Sequence, residues 1–326
     1  MLHSELLNGR DIQFLKTCFK PKFVDRQRLP YPAYEFYRAF LNSRLQHALL
    51  SARLAERIIK TEDSLSLRRK TIQKDYLKAA LFMDLGRSIE ATPMHKMPLF
   101  KNHGMESALI LQRDNPLKSL NVVIPVMMHD QSDPKNILMN PEQMKTLFVP
   151  VITTGGHILQ NREGAYENAQ FWAEKFRQAD MFEQQTALEG IKVLKDADKC
   201  AQLLEIENIM SSKNLMPKDQ FSPEAEQAFM SGKIVKVSFL KTIPDMALYY
   251  LSFLGHFHYR ASLQVALSEK TPEKITQHFL RLTFQKMGHP VPTFPQKMQD
   301  MCALYIKKLQ TARFNQLQQT LSAHIR

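Results

Sequence analysis

Apolar residues recur along this chain at spacings of three and four rather than two, the pattern of helices buried along one face. Between Tyr34 and Lys60, the residues Phe36, Phe40, Leu41, Leu45, Ala48, Ala52, Ala55 and Ile59 share one side of a predicted helix. Pro30 and Pro32 before it predict an extended strap holding Tyr31 and Tyr34. A second helix is expected over Thr71–Leu85, with Gly86 as the residue just past its end. A third is expected over His103–Arg113, capped by Asn102 or a neighbour. A fourth spans Pro116–Asp130, opening on a proline and kinked at Pro125.

Asn140-Pro141-Glu142 reads as a cap followed by a helix start, and Pro150 and Gly155-Gly156 interrupt the stretch after it. Two long helices fit Glu163–Gln185 and Thr186–Met210. The proline-bearing polar stretch 211–224 is the expected boundary, followed by helices near 244–268, 271–287 and 294–322. The fold class this predicts is all-α. Residues 1–33 form the strap, 34–210 the core, and 225–326 a helical C-terminal extension.

Composition narrows the function classes. The 326 residues are 44% hydrophobic and 23% charged, ordinary globular values, so disorder is not the expectation. Nothing approaches the ~18 uninterrupted apolar residues of a membrane-spanning helix. The charged N-terminus lacks the apolar run of a secretory signal. Cys18, Cys200 and Cys302 are scattered, which suits reduced thiols and a cytoplasmic setting. The 44 basic residues exceed the 32 acidic ones by 44 − 32 = 12, which favours an anionic partner. The tightest basic cluster, Arg68-Arg69-Lys70 with Lys74 and Lys78, reads first as a solvated helix face. Without aromatic platforms or a known recognition motif, nucleic acid is disfavoured as the partner.

The chemistry-bearing residues are histidines and acids on the helices. His47 lies inside the first apolar helix, Asp84 closes the second, His103 opens the third and His129-Asp130 ends the fourth. Asp196 and Asp198 come later, in Lys192-Val-Leu-Lys-Asp-Ala-Asp-Lys. Imidazoles and carboxylates converging in a bundle are suitable ligands for a divalent cation, which can hydrolyse a phosphoester. Each residue also has a plainer reading. His47 can be a satisfied core histidine, and His103, His129 and Asp130 can be helix-end residues. A carboxylate at a helix C-terminus opposes the helix dipole, so Asp84 calls for a compensating cation or donor. Asp196 and Asp198 point about 200° apart on a helix, so one faces a site and the other is expected in solvent.

This succession, H…HD…H…H…D on an all-α core, resembles the HD superfamily of metal-dependent phosphohydrolases over residues 34–210. "HALLSARLAERI", "AALFMDLGR" and "HGMESALIL" carry the likeness, with "LKDADK" at the closing aspartate. The resemblance implies that His47, Asp84, His103, His129 and Asp196 hold one or two divalent ions of Mn, Mg, Fe or Zn. The histidine of the HD pair is Met83 here, and a thioether does not replace imidazole on a hard or borderline cation.

A narrower likeness is to the phosphodiesterase domains of SidE-family effectors of Legionella, which are HD-related and lack an intact HD pair. "YRAFLNSRLQHALLSARLAE", "LGRSIEA" and "TTGGHIL" resemble their motif segments. That likeness implies acid–base roles for Glu90 and His157, with His47 standing one turn from Ser43, where a third histidine would fall. Modified ubiquitin would then be a protein partner, and delivery into a host cell a further expectation. Arg87 and Lys101 are candidates to hold phosphate oxygens. The expected function is hydrolysis of a nucleotide-type or ADP-ribose-type phosphoester by a phosphohydrolase or phosphodiesterase. The alternative is a catalytically inactive scaffold that binds a protein or nucleotide ligand.

Overall fold

The computed structural model describes residues 9–20, 31–90, 102–114, 119–149, 151–152, 158–159, 164–206, 215–217, 220–288 and the isolated positions 300, 304 and 307. The chain is all-α. Among the described residues the extended structure is a two-residue antiparallel ladder, Val151–Ile152 against Ile158–Leu159, and an isolated parallel bridge between Met216 and Thr242. The chain divides into two compact units, Met1–Asp198 and Lys199–Arg326.

The first unit begins with α1, Gly9–Cys18, and α2, Tyr31–Thr61. Both revise the expected strap. Residues 9–18 are helical, and Pro32 sits in the first turn of α2, where its missing N–H costs nothing. Next come α3, Lys70–Phe82, α4, His103–Asp114, and α5, Leu120–Met128. Pro116 lies outside the described residues, and the cap of α5 is Ser119, whose hydroxyl accepts from Asn121 N–H. Then come two short helices, α6, Pro134–Met139, and α7, Pro141–Phe148. Asn140 caps α7 as expected, accepting from the N–H groups of Glu142 and Gln143. The last two are α8, Ala165–Gln178, and α9, Met181–Leu204. The break between them falls earlier than expected because Asp180 accepts from Glu183 N–H and starts a new helix there.

The hub of this unit is α5, in which Val122, Val123, Ile124, Pro125, Val126, Met127 and Met128 are all buried. A helix that is apolar all round must be enclosed. It packs against α3, α4 and α8. Gly190 of α9 permits a further close approach: a Cβ there would lie 2.7 Å from Pro125 Cγ and 2.9 Å from the Tyr76 ring. The basic cluster is not merely solvated. Arg68 makes a two-pronged contact with Glu189 and lies over the Phe182 ring, and Lys78 pairs with the buried Asp11.

The boundary between units falls within α9 rather than in the polar stretch 211–224. The second unit holds α10, Pro223–Met230, α11, Ile243–Ser252, α12, Arg260–Ser268, and α13, Thr271–Met287. The expected helix 244–268 is therefore interrupted by a 3-10 turn at Phe253–His256. Tyr249, Tyr250, Phe253 and Phe279 form a ring cluster, as core residues do. Most of the expected 294–322 helix lies outside the described residues, as does Cys302.

Candidate metal centre

Four helices of the first unit bring their polar residues together. Mid-helix in α2 is His47, Asp84 lies just past the end of α3, His103 opens α4, and His129 lies just past the end of α5. His47, Asp84 and His129 are each about 95% buried, so these groups are sequestered in the core. The two carboxylate oxygens of Asp84 face different imidazoles: Oδ1 is 3.4 Å from His103 Nε2, and Oδ2 is 3.7 Å from His47 Nε2. His103 Nε2 is 2.9 Å from His129 Nε2. One ligand atom from each of Asp84, His103 and His129 lies within 4.8 Å of the others, an arrangement that could hold a metal ion.

The neighbours fix which ring atoms are available. His129 Nδ1–H donates to Val126 O at 2.8 Å, leaving Nε2 as the acceptor that faces the cluster. His103 Nδ1 lies 3.4 Å from Asp130 Oδ2. Asp130 is itself held, since Gln131 Nε2 donates to its Oδ1 and to Asn102 Oδ1, while Asn102 Nδ2 donates to Leu147 O. This chain of bonds orients the His103 ring from behind, as outer partners do at metal sites. It also corrects the role expected for Asn102, whose side chain serves this network. Lys195 Nζ donates to the carbonyl of Gln131.

The electrostatics are set by this geometry. Burial alone would raise the pKa of Asp84, but the hydrogen bond to His103 and the charges of His103, His47 and His129 hold it well below the carboxylate range. For His103, burial works downward, yet the bond to Asp84 and the charges of Asp84 and Asp130 raise it against the opposing charge of Arg87. Burial and the charge of His103 push His129 down. The two imidazoles are thus driven in opposite directions, His103 towards the protonated form and His129 towards the neutral one.

The closing aspartates depart from expectation. Besides Asp84, a carboxylate beside His47 is that of Asp198, whose Oδ1 accepts from Nε2 at 3.0 Å. Asp196 is fully buried in the same helix. The expected solvent-facing partner is absent from this pair, since Asp196 is fully buried and Asp198, beside His47, is partly so. Asp130 and Asp198 thus join the site beyond the candidates that the family resemblance implies. Asp198 stands three residues after Lys195, which puts both on one side of α9. Arg87 lies in the turn Arg87–Glu90, close enough for its charge to act on His103. The Glu90 side chain, Lys101 and His157 lie outside the described residues. Met83 is fully buried, as a core residue.

Gly86 serves differently from the helix-ending glycine expected. Gly86 does not adopt the positive φ of a helix-ending glycine, and the C-cap of α3 is Met83, with an ordinary right-handed backbone. A Cβ on Gly86 would lie 2.4 Å from His103 O, so the residue is small to let two chain segments touch. Comparison with protein-family models, curated proteins and solved structures gives no match for this chain.

Proposed function

We propose that the first unit is an HD-like phosphoester hydrolase that works with a divalent cation. The observation that carries this reading is the buried Asp84–His103–His129 group, with His47 on the second oxygen of the same aspartate. Two imidazoles and one carboxylate suit borderline ions such as Zn, Fe or Mn better than an all-oxygen site would. A cation held there would polarise a phosphoryl oxygen and lower the pKa of a water molecule. Asp84, held anionic, supplies charge, and His129 presents Nε2 because its Nδ1–H is committed to Val126. His47 and Asp198, on the far side of Asp84, are placed to take and pass a proton or to complete a second ion position. Arg87 and Lys195 supply cations for phosphate oxygens. The excess of basic residues fits an anionic substrate of nucleotide or ADP-ribose type. A phosphodiester carried on modified ubiquitin, in a host cell, is the narrower form of the proposal.

Met83 favours a second reading, a scaffold that keeps the fold without turnover, because the HD histidine is replaced by a buried thioether. Elemental analysis of the purified protein, with hydrolysis of bis-p-nitrophenyl phosphate measured with and without Mn²⁺, separates the two. Stoichiometric metal with turnover that disappears in His47→Ala and Asp84→Ala supports the enzyme. Turnover without metal moves the proposal to the effector-like route through Glu90 and His157. Absence of both metal and turnover supports the scaffold.

A further inference from the structure

One buried hydroxyl connects the two chain segments on which the metal centre depends. Ser107, in the second turn of α4, has no exposed surface. Its Oγ accepts from Gly86 N–H at 2.7 Å, and lies 2.7 Å from Met83 O and 2.9 Å from His103 O. Met83 and Gly86 flank Asp84 on either side, and His103 is the ligand at the start of α4. The hydroxyl has one proton, so it donates to one carbonyl at a time while accepting from Gly86 throughout. We propose that Ser107 is a positioning residue that sets the separation of Asp84 from His103, and through it the affinity of the site for a divalent cation.

The surrounding contacts leave no slack to replace it. Gly86 touches His103 O so closely that any side chain there would collide. One turn before Ser107 on the same helix, a Cβ on Gly104 would lie 2.7 Å from Val126 O and 3.2 Å from His129 Cε1. The start of α4 is therefore seated between the turn that carries Asp84 and the end of α5 that carries His129. Ser107 supplies the directional bond on the Asp84 side, where van der Waals contact alone would leave the turn free to slide. The cost of such a slide appears in binding, because the Asp84 and His103 ligand atoms stand only 3.4 Å apart. This inference rests on the reading of the cluster as a cation site.

The second unit supplies a matched control. Ser252 is also fully buried, accepts from Val235 N–H at 3.2 Å and donates to Tyr249 O at 2.6 Å. Ser107→Ala and Ser252→Ala thus remove the same kind of hydroxyl from different units. Mn²⁺ binding by titration calorimetry on the full chain is expected to weaken about 10–100-fold in Ser107→Ala and to stay unchanged in Ser252→Ala. Hydrogen exchange at the Gly86 amide is expected to accelerate in Ser107→Ala alone. Unchanged Mn²⁺ affinity in Ser107→Ala, or equal weakening in Ser252→Ala, would overturn the proposal. If the unaltered protein binds no Mn²⁺, the cation reading fails, and Gly86 exchange decides the clamp by itself. An amide that stays protected without the Ser107 hydroxyl would overturn that too.

Discussion

Asp84 in the first unit and Asp245 in the second are both buried, and their carboxylates are satisfied in opposite ways. Asp245 in the second unit, with no exposed surface, accepts from the backbone N–H groups of Ser222, Lys241 and Thr242 at 2.7–2.9 Å. Thr242 Oγ1 accepts from Asp245 N–H in return, completing a capping box. Every partner is main chain or local, so the group is a joint. Asp84 in the first unit is faced by imidazoles from two other helices, with ring nitrogens at 3.4 and 3.7 Å. Those partners can lose protons, and a cation could take the place of a proton between them and the carboxylate. A buried carboxylate held by amides gives stability, whereas one held by imidazoles is a place where chemistry can occur.

The sharpest way to break this comparison is the same substitution at both positions. Asp84→Asn keeps the volume but weakens the site's charge, so Mn²⁺-dependent turnover of bis-p-nitrophenyl phosphate is expected to fall by about 10³ or more. Circular dichroism should show the fold retained. Asp245→Asn is expected to do the reverse, leaving turnover per folded molecule unchanged while costing about 2–3 kcal/mol in denaturant unfolding. Equal losses of stability with intact turnover in both variants would erase the distinction.

A second expected effect is on cation affinity against pH. A cation must displace the proton on His103, whose pKa lies above its ordinary 6.5. Affinity should therefore rise as pH increases through and beyond that value, with proton release in calorimetry. A flat profile would contradict the protonated state. Stability of the cation-free protein carries the signs separately. The contribution of His103 is present below 6.5 and is lost as pH rises through its raised folded value. That of Asp84, whose folded pKa is lowered, is present above 3.8 and is lost as pH falls towards its folded value. Burial keeps His129 neutral, so its contribution is present above 6.5 and is lost as pH falls through its lowered folded value.

Smaller effects sharpen the same contrast. Gly104→Ala should cost about 1–3 kcal/mol by forcing α4 away from α5, and should weaken Mn²⁺ binding as the ligand spacing opens. Thr242→Ala should cost about 1 kcal/mol through its cap alone, with Mn²⁺ binding intact. Denaturant melts and calorimetry on both variants test whether packing at the first unit, and only there, reaches the site.

Much of the first unit is legible in the sequence because helix spacing and helix ends leave strong local marks. His47, Asp84, His103 and His129 are recognisable as polar residues at defined places on apolar helices, and the structure gathers them. Asp84 is expected to need a cationic partner because it opposes a helix dipole, and it has imidazoles beside it. What is not legible depends on packing between segments. That Asp198 meets His47 depends on how α9 packs, with Gly190 held against Pro125 and Tyr76. Asp130 reads as a helix end because nothing local shows that Gln131 and Asn102 turn it towards His103. Ser107 and Gly104 carry a faint signal, two small residues in the first turns of a helix that opens on histidine, but their partners are remote in sequence.

The groups that meet at Asp84 come from positions 47 to 198, nearly the whole of the first unit. No short stretch of the nascent chain holds a ready-made chelate, and the loops that close the cluster are long. Bringing such distant groups together costs loop-closure entropy that forming a local helix does not. An ion would then bind the finished unit and ignore its precursors, so loading with metal would report that folding is complete. Newly made protein should acquire the ion at the rate at which its slowest contacts form.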